Sequence, residues 1–218
     1  MVKKIICLLL LLAVCPLAVV ADTDEKPLPE VEFFIDEKLF QDGDIIFQAE
    51  PSSQRQAIQL ATHSPYSHCG IIFWQNARPY VFEAISTVGF TPLRAWIERG
   101  IDRHYVLMRL KDHDRLLSAQ LLRSMKGAAL SFKGKSYDPL FQWSDARIYC
   151  SELVWKVYDR GAGMQLTILK TLRDYDLNHE QVRKIAYERF GSDLPWDEKV
   201  VAPADIMESS WLEVVAEN

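Results

Sequence analysis

Two apolar runs on either side of a tight turn, SHCGIIF (67–73) and YVFEAI (80–85), constrain this chain more than any other feature. Each has the length and the β-branched or aromatic content of a strand, and Asn76-Ala77-Arg78-Pro79 between them is turn chemistry. The spacing predicts an antiparallel hairpin. Side chains alternate along a strand, so the neighbours His68 and Cys69 must project from opposite faces of the sheet. The returning strand brings Glu83 back to the neighbourhood of His68. A mid-strand carboxylate is costly unless it meets water or a partner. An imidazole is a natural partner; a solvated outer-face glutamate is the alternative.

The rest of the pattern builds around this hairpin. GDIIFQ (43–48) and HYVLMRL (104–110) read as further strands. Ser52 and Ser53 are placed to cap a helix whose Ala57, Ile58 and Ala61 share a face. PLRAWIERG (92–100) predicts a short helix closed by Gly100, and Leu117, Leu121, Leu122, Met125 and Ala129 predict one over 113–129. A loop rich in Ser, Gly and aromatics (131–149) leads to Cys150. Leu153, Val154, Val157 and Tyr158 then continue as a helix that stops at Gly161. A further helix over 179–190 starts after Asn178, with Gln181 at capping-box spacing. VVAPADIMES (200–209) predicts a strand and a short closing helix. The sum is α+β, an antiparallel sheet packed on helices.

Ahead of all this, Lys3 and Lys4 precede an apolar run from Ile5 to Val20, and an acidic stretch follows Ala21. This reads as a secretory signal peptide over 1–21 and predicts a periplasmic or secreted protein with no stable membrane anchor after cleavage. LLAVC, ending at Cys15, raises a lipoprotein alternative to which Val14 is a poor fit. Residues 22–41 read as a flexible leader and first segment, and 42–218 as one domain. Losing Lys3 and Lys4 with no acid moves the formal charge from −5 to −7, which argues against nucleic acid as a partner. Of the four cysteines only Cys69 and Cys150 would remain. A single disulfide between them is one reading. There is no CxxC, HxxH or zinc-ribbon spacing, so no metal or other cofactor is expected. His63, His104, His113 and His179 fall at turns or element ends and read as surface residues.

Cys150 has the setting of a nucleophile. It opens an amphipathic helix, where unpaired N–H groups and the positive dipole end favour an anion. A thiol there falls below its free value of about 8.5, and an imidazolium neighbour lowers it further. The same N–H groups can hold an oxyanion. A packed core thiol is the alternative. With His68 as base and Glu83 holding the ring's other nitrogen, the three would form a Cys-His-Glu arrangement.

GDIIFQ, SSQRQAIQLATHSPYSHCGIIF, PYVFEAI, TPLRAWI, SYDPLFQWSDARIYCSELVWKVY and VVAPADIM together resemble the YiiX-like branch of the NlpC-type, papain-like cysteine peptidase and hydrolase superfamily, over about residues 42–210. The branch is circularly permuted, the histidine-bearing sheet preceding the cysteine helix, as here. The resemblance implies Cys150 as nucleophile, His68 as general base and Glu83 as third member. It implies cleavage of an amide, in cell-wall peptide or a related small amide, without cofactor. Permuted relatives that act on lipid esters or transfer acyl chains leave a second substrate class open. A non-catalytic envelope-binding module on the same scaffold is a third reading. Wall-peptide members carry Asp-Cys-Ser-Gly around the nucleophile. Tyr149-Cys150-Ser151-Glu152 stands here, so an aspartate for a substrate amine is missing. Tyr149, Ser151 and Tyr137 are the candidate substrate contacts. The segment 166–200 lies outside the family core and is expected to wall the cleft.

Overall fold

The structure is a computed structural model that describes residues 33–52 and 54–218. The signal segment 1–21, the leader as far as residue 32 and the cap assigned to Ser53 lie outside the described residues. Strand β1 (Ile45–Gln48) leads through helix α1 (Arg55–Thr62) to β2 (His68–Gln75), which turns back into β3 (Arg78–Ala84). The β2–β3 ladder is antiparallel and ends at Gln75↔Arg78, so Asn76 and Ala77 alone make the turn. Both take left-handed φ, 50° and 57°, which matches the twist of the strands they join. Strand β4 (Val88–Pro92) runs directly into α2 (Leu93–Arg99), and β5 (Val106–Leu110) follows. The sequence of β4, VGFTP, has a glycine and a proline and so lacks a strand signature.

The helix expected over 113–129 is two helices, α3 (His113–Leu116) and α4 (Ala119–Phe132). Ser118 leaves helical geometry to cap α4, its hydroxyl accepting from Leu121 N at 3.3 Å. Helix α5 (Cys150–Ala162) does not stop at Gly161 but runs on to a left-handed cap at Gly163. Gly161 instead faces α4: a Cβ there would lie 2.4 Å from Met125 Cα. The missing side chain is what lets the two helix backbones meet. After β6 (Lys170–Thr171) comes α6 (Glu180–Phe190), capped by the His179 ring rather than by Asn178, since His179 Nδ1 accepts from Gln181 N at 3.2 Å. Then follow β7 (Lys199–Val200), α7 (Pro203–Met207) and β8 (Leu212–Glu217). Half of β8 is exposed and only Leu212 is buried, so it lacks the pattern of a buried strand.

Six strands form one antiparallel sheet in the order β4-β3-β2-β1-β5-β8, and β6 and β7 pair separately. Both faces are covered. On one, Phe47, Cys69, Ile71 and Phe82 share a core with Met125 of α4 and Leu153 of α5. On the other, Ile46, Ile72 and Val81 are fully buried and α2 supplies Leu93, Trp96 and Ile97. Two-sided burial explains the unbroken apolar run of β2. The α+β architecture follows, in a compact unit from Ile35 to Asn218. Among the described residues, no helix is long and apolar enough to cross a membrane.

Candidate active site

Strand alternation puts His68 and Glu83 on the α2 side of the sheet. Continued by one step, the β2–β3 ladder sets Glu83 opposite Gly70, one position along that face from His68. Gly70 permits the approach, because a Cβ there would lie 2.4 Å from Val81 Cγ1 and 3.4 Å from Glu83 Cβ. His68 Nε2 donates to Glu83 Oε2 at 2.6 Å, with both side chains buried. Glu83 also accepts from Thr91 Oγ1 at 2.5 Å, Trp96 Nε1 at 2.9 Å and an Arg99 guanidinium nitrogen at 2.5 Å. The imidazole stacks on Trp96, with ring centres 5.9 Å apart. Burial alone would push the Glu83 carboxyl upward. The bonds and charges of His68 and Arg99 outweigh it and hold the pKa at about 2.

Cys150 is the first residue of α5, and this helix packs on the opposite face. His68 is the first residue of β2, and its ring and the Cys150 thiol shift each other's titration. Nε2 is given to Glu83, which leaves Nδ1 for the sulfur; Glu50 Oε2 stands 3.7 Å from Nδ1. Cys69 acts on the same sulfur. The Cys69 bond lowers the Cys150 pKa most; burial opposes it, and His68 adds to it, leaving the thiol well below the ordinary range. Burial disfavours a charged His68, but the bonds to Cys150 and Glu83 carry its pKa up to about 10. The two shifts favour the thiolate–imidazolium form of the pair. Cys69 shifts the other way, burial and Cys150 raising its thiol well above the usual value.

The sequence predicts a core-facing, inert Cys69, and the structure buries it with a thiol pKa well above the usual value. Alternation holds, and Cys69 lies in the core. Helix α5 docks on that same face, and Cys69 is the group that lowers the Cys150 thiol most. Both cysteines are free, so the disulfide alternative does not describe this state. His113 also departs from expectation: its side chain is only 10% exposed, and its Nε2 lies 2.9 Å from Asp42 O.

The other candidates surround the cluster. The Tyr149 hydroxyl accepts from Val201 N at 3.2 Å, and its ring meets Phe141 edge-on. Ser151 donates to Val201 O at 2.7 Å. Both residues hold the 200–203 segment in place while lining a pocket of about 840 Å³ that contains Cys150. Its walls are apolar: Ile58 from α1, Leu177, and Val182, Ile185 and Phe190 from α6. The segment after α5 thus supplies one wall. A second pocket of about 620 Å³ is lined by Glu50, Ser52, Ser67 and His68. Tyr137 and Gln54 line both, joined by a bond from Gln54 Nε2 to the Tyr137 hydroxyl at 2.7 Å. Sequence reasoning does not single out Glu50, Thr91, Trp96 or Arg99. Only Trp96 and Arg99 leave a trace, at i and i+3 of a short helix beside the hairpin.

Comparison with known proteins identifies a family for the chain. A family described as permuted papain-like amidase enzyme, YaeF/YiiX, C92 family, matches residues 39–216. The uncharacterized protein YiiX of Escherichia coli strain K12 is 44% identical over 178 residues, 82% of this chain and 87% of that protein. A crystal structure described as metalloprotein YiiX from Escherichia coli O157:H7 aligns with a TM-score of 0.80 at 43% identity, over 83% of this chain and 98% of that one. Among the described residues here, no group of three or more His, Cys, Asp or Glu side chains is placed to hold a metal ion. The His68 Nε2 lone position is likewise taken by Glu83.

Proposed function

The chain belongs to the permuted papain-like amidase family, and from that premise we propose that it is an exported thiol hydrolase that cleaves an amide through Cys150, His68 and Glu83. The observation that carries this reading is the buried imidazole held by the Glu83 carboxylate at 2.6 Å and favouring the thiolate form of Cys150. The Cys150 thiolate attacks the amide carbonyl carbon, and N–H groups at the start of α5 stabilise the oxyanion. His68 gives its proton to the leaving nitrogen, the C–N bond breaks, and a thioester remains. His68 then takes a proton from water, the hydroxide attacks the thioester, and the acid departs as the thiolate is restored. Glu83 stays ionised throughout and fixes the ring's orientation.

Export rests on Lys3, Lys4 and the apolar run to Val20, and places the substrate in the envelope or outside it. A cell-wall peptide amide is one such substrate. The apolar pocket beside Cys150 favours a lipid-like acyl group as the second reading. Iodoacetamide labelling tests the chemistry. Cys150 should alkylate near neutral pH with Cys69 unmodified, and His68→Ala should slow labelling at pH 6 by at least about tenfold. Equal, sluggish and His68-independent reaction of both thiols would refute it.

A further inference from the structure

Glu83 is not the only carboxylate beside the His68 ring. Gln48, the last residue of β1, pairs with His68 across the sheet. Two residues on, just past the end of the strand, Glu50 returns to the His68 side. Its backbone is fixed there: Glu50 N donates to Ser67 Oγ at 3.3 Å, and Ser67 N to Gln48 O at 3.1 Å. The Glu50 side chain is 13% exposed, with Oε2 3.7 Å from His68 Nδ1 and Oε1 2.8 Å from Arg99 Nε. Arg99 also donates to Glu83 Oε2 at 2.5 Å. One guanidinium therefore pins two carboxylates against the same imidazole. Glu83 holds Nε2 at 2.6 Å. Glu50 faces Nδ1, the nitrogen left to exchange protons, and both residues line the pocket of about 620 Å³ through which water can reach it.

An anion at Nδ1 acts differently on the two halves of a thiol hydrolysis. In acylation the ring starts as imidazolium beside the thiolate and gives its proton away, so a further negative charge holds that proton back. In deacylation the sulfur is locked in a neutral thioester. A water O–H bond breaks, its proton passes to Nδ1, the oxygen bonds to the acyl carbon, and the C–S bond breaks to restore the thiolate. The ring thus gains its charge while no thiolate stands beside it, and only an interaction that strengthens at that moment speeds the step. Glu50 is the anion still facing the nitrogen. We infer that Glu50 is a positioning residue for deacylation, steadying the imidazolium formed as water is deprotonated and so committing the acyl-enzyme to hydrolysis. The inference rests on the thiol-hydrolase reading and extends it to a residue outside the Cys150, His68 and Glu83 set.

Stopped-flow release of p-nitrophenolate from p-nitrophenyl acetate tests it, because this leaving group departs without a proton and acylation then reports the thiolate alone. Cys150→Ala supplies the background. Glu50→Gln, which keeps the shape and removes the charge, should leave acylation within about twofold and slow deacylation by at least about fivefold. Intact mass should show acetyl-enzyme accumulating in the variant beyond the parental level. Hydroxylamine, which attacks a thioester without a base, should bring the variant's turnover to within about twofold of the parent's. Equal slowing of both steps, or slow turnover that hydroxylamine does not restore, makes Glu50 a mere tether for Arg99 and overturns the inference. Unchanged deacylation in Glu50→Gln overturns it too. Each of these results leaves the thiol reading standing while release depends on Cys150. No release, or release that Cys150→Ala retains in full, overturns both.

Discussion

Two glutamates, Glu83 on β3 and Glu152 in the first turn of α5, are equally hidden from solvent, at 1% and 0% exposure. Their carboxyl groups shift in opposite directions. Glu83 is held at about 2, whereas burial pushes Glu152 up to about 7 despite Lys156 Nζ at 2.7 Å. Burial is common to both, so the partners decide. Glu83 accepts from four side chains on three elements, two of them carrying positive charge. Glu152 accepts from Lys156 and from Tyr149 N at 3.3 Å, and Lys156 also bonds Asp145 at 2.9 Å. A divided cation offsets less of the cost of desolvation than a full set of donors does. The first carboxylate is built to stay charged beside a reaction; the second ties down a helix.

Three experiments can break or sharpen that contrast. The largest effect is expected on turnover. Glu83→Gln keeps the shape and removes the charge that steadies the imidazolium, so kcat/KM should fall by about 10²-fold or more. Glu152→Gln should change it by less than about threefold, and an equal loss in both variants would erase the distinction. Stability at pH 7 comes next, read by urea unfolding. Glu83→Ala leaves the buried His68 ring without its carboxylate, although Arg99 keeps Glu50 at 2.8 Å, and should cost about 3–5 kcal/mol. Glu152→Ala, which leaves Lys156 with Asp145, should cost about 1–3 kcal/mol.

The smallest effect is a slope. The raised Glu152 pKa means that the folded state binds its proton more tightly. Its contribution is thus full below about 4.5 and fades as pH rises through about 7, by on the order of 3 kcal/mol. Glu83 runs the other way, contributing above about 4.5 and losing its contribution as pH falls toward about 2. Unfolding free energy measured from pH 4 to 8 should decline less steeply in Glu152→Gln than in the parent. Parallel curves would count against a proton on Glu152.

The hairpin, the alternation of His68 and Cys69, and the helix opening at Cys150 were legible because each is a local property of a few residues. The face on which α5 docks is not local. It depends on how Phe47, Cys69 and Ile71 of the sheet meet Leu153 and Val157, and that contact gave Cys69 a role its own neighbours do not announce. The pocket was legible only in the wall expected from 166–200; that α1 faces it was not, since α1 and α6 are far apart in the chain and meet only once the sheet is complete. Strands β4 and β8 escaped because one contains breakers and the other is too exposed to carry a pattern.

The bare backbone contact at Gly161 has a consequence beyond packing. It lies about 16 Å along α5 from Cys150 at roughly 1.5 Å per residue, and a stiff rod displaced at one end moves at the other. Even a methyl group there must drive α5 away from Met125. A Gly161→Ala protein that is still folded would then misalign its sulfur against the imidazole, and a defect remote from the chemistry would register as lost turnover.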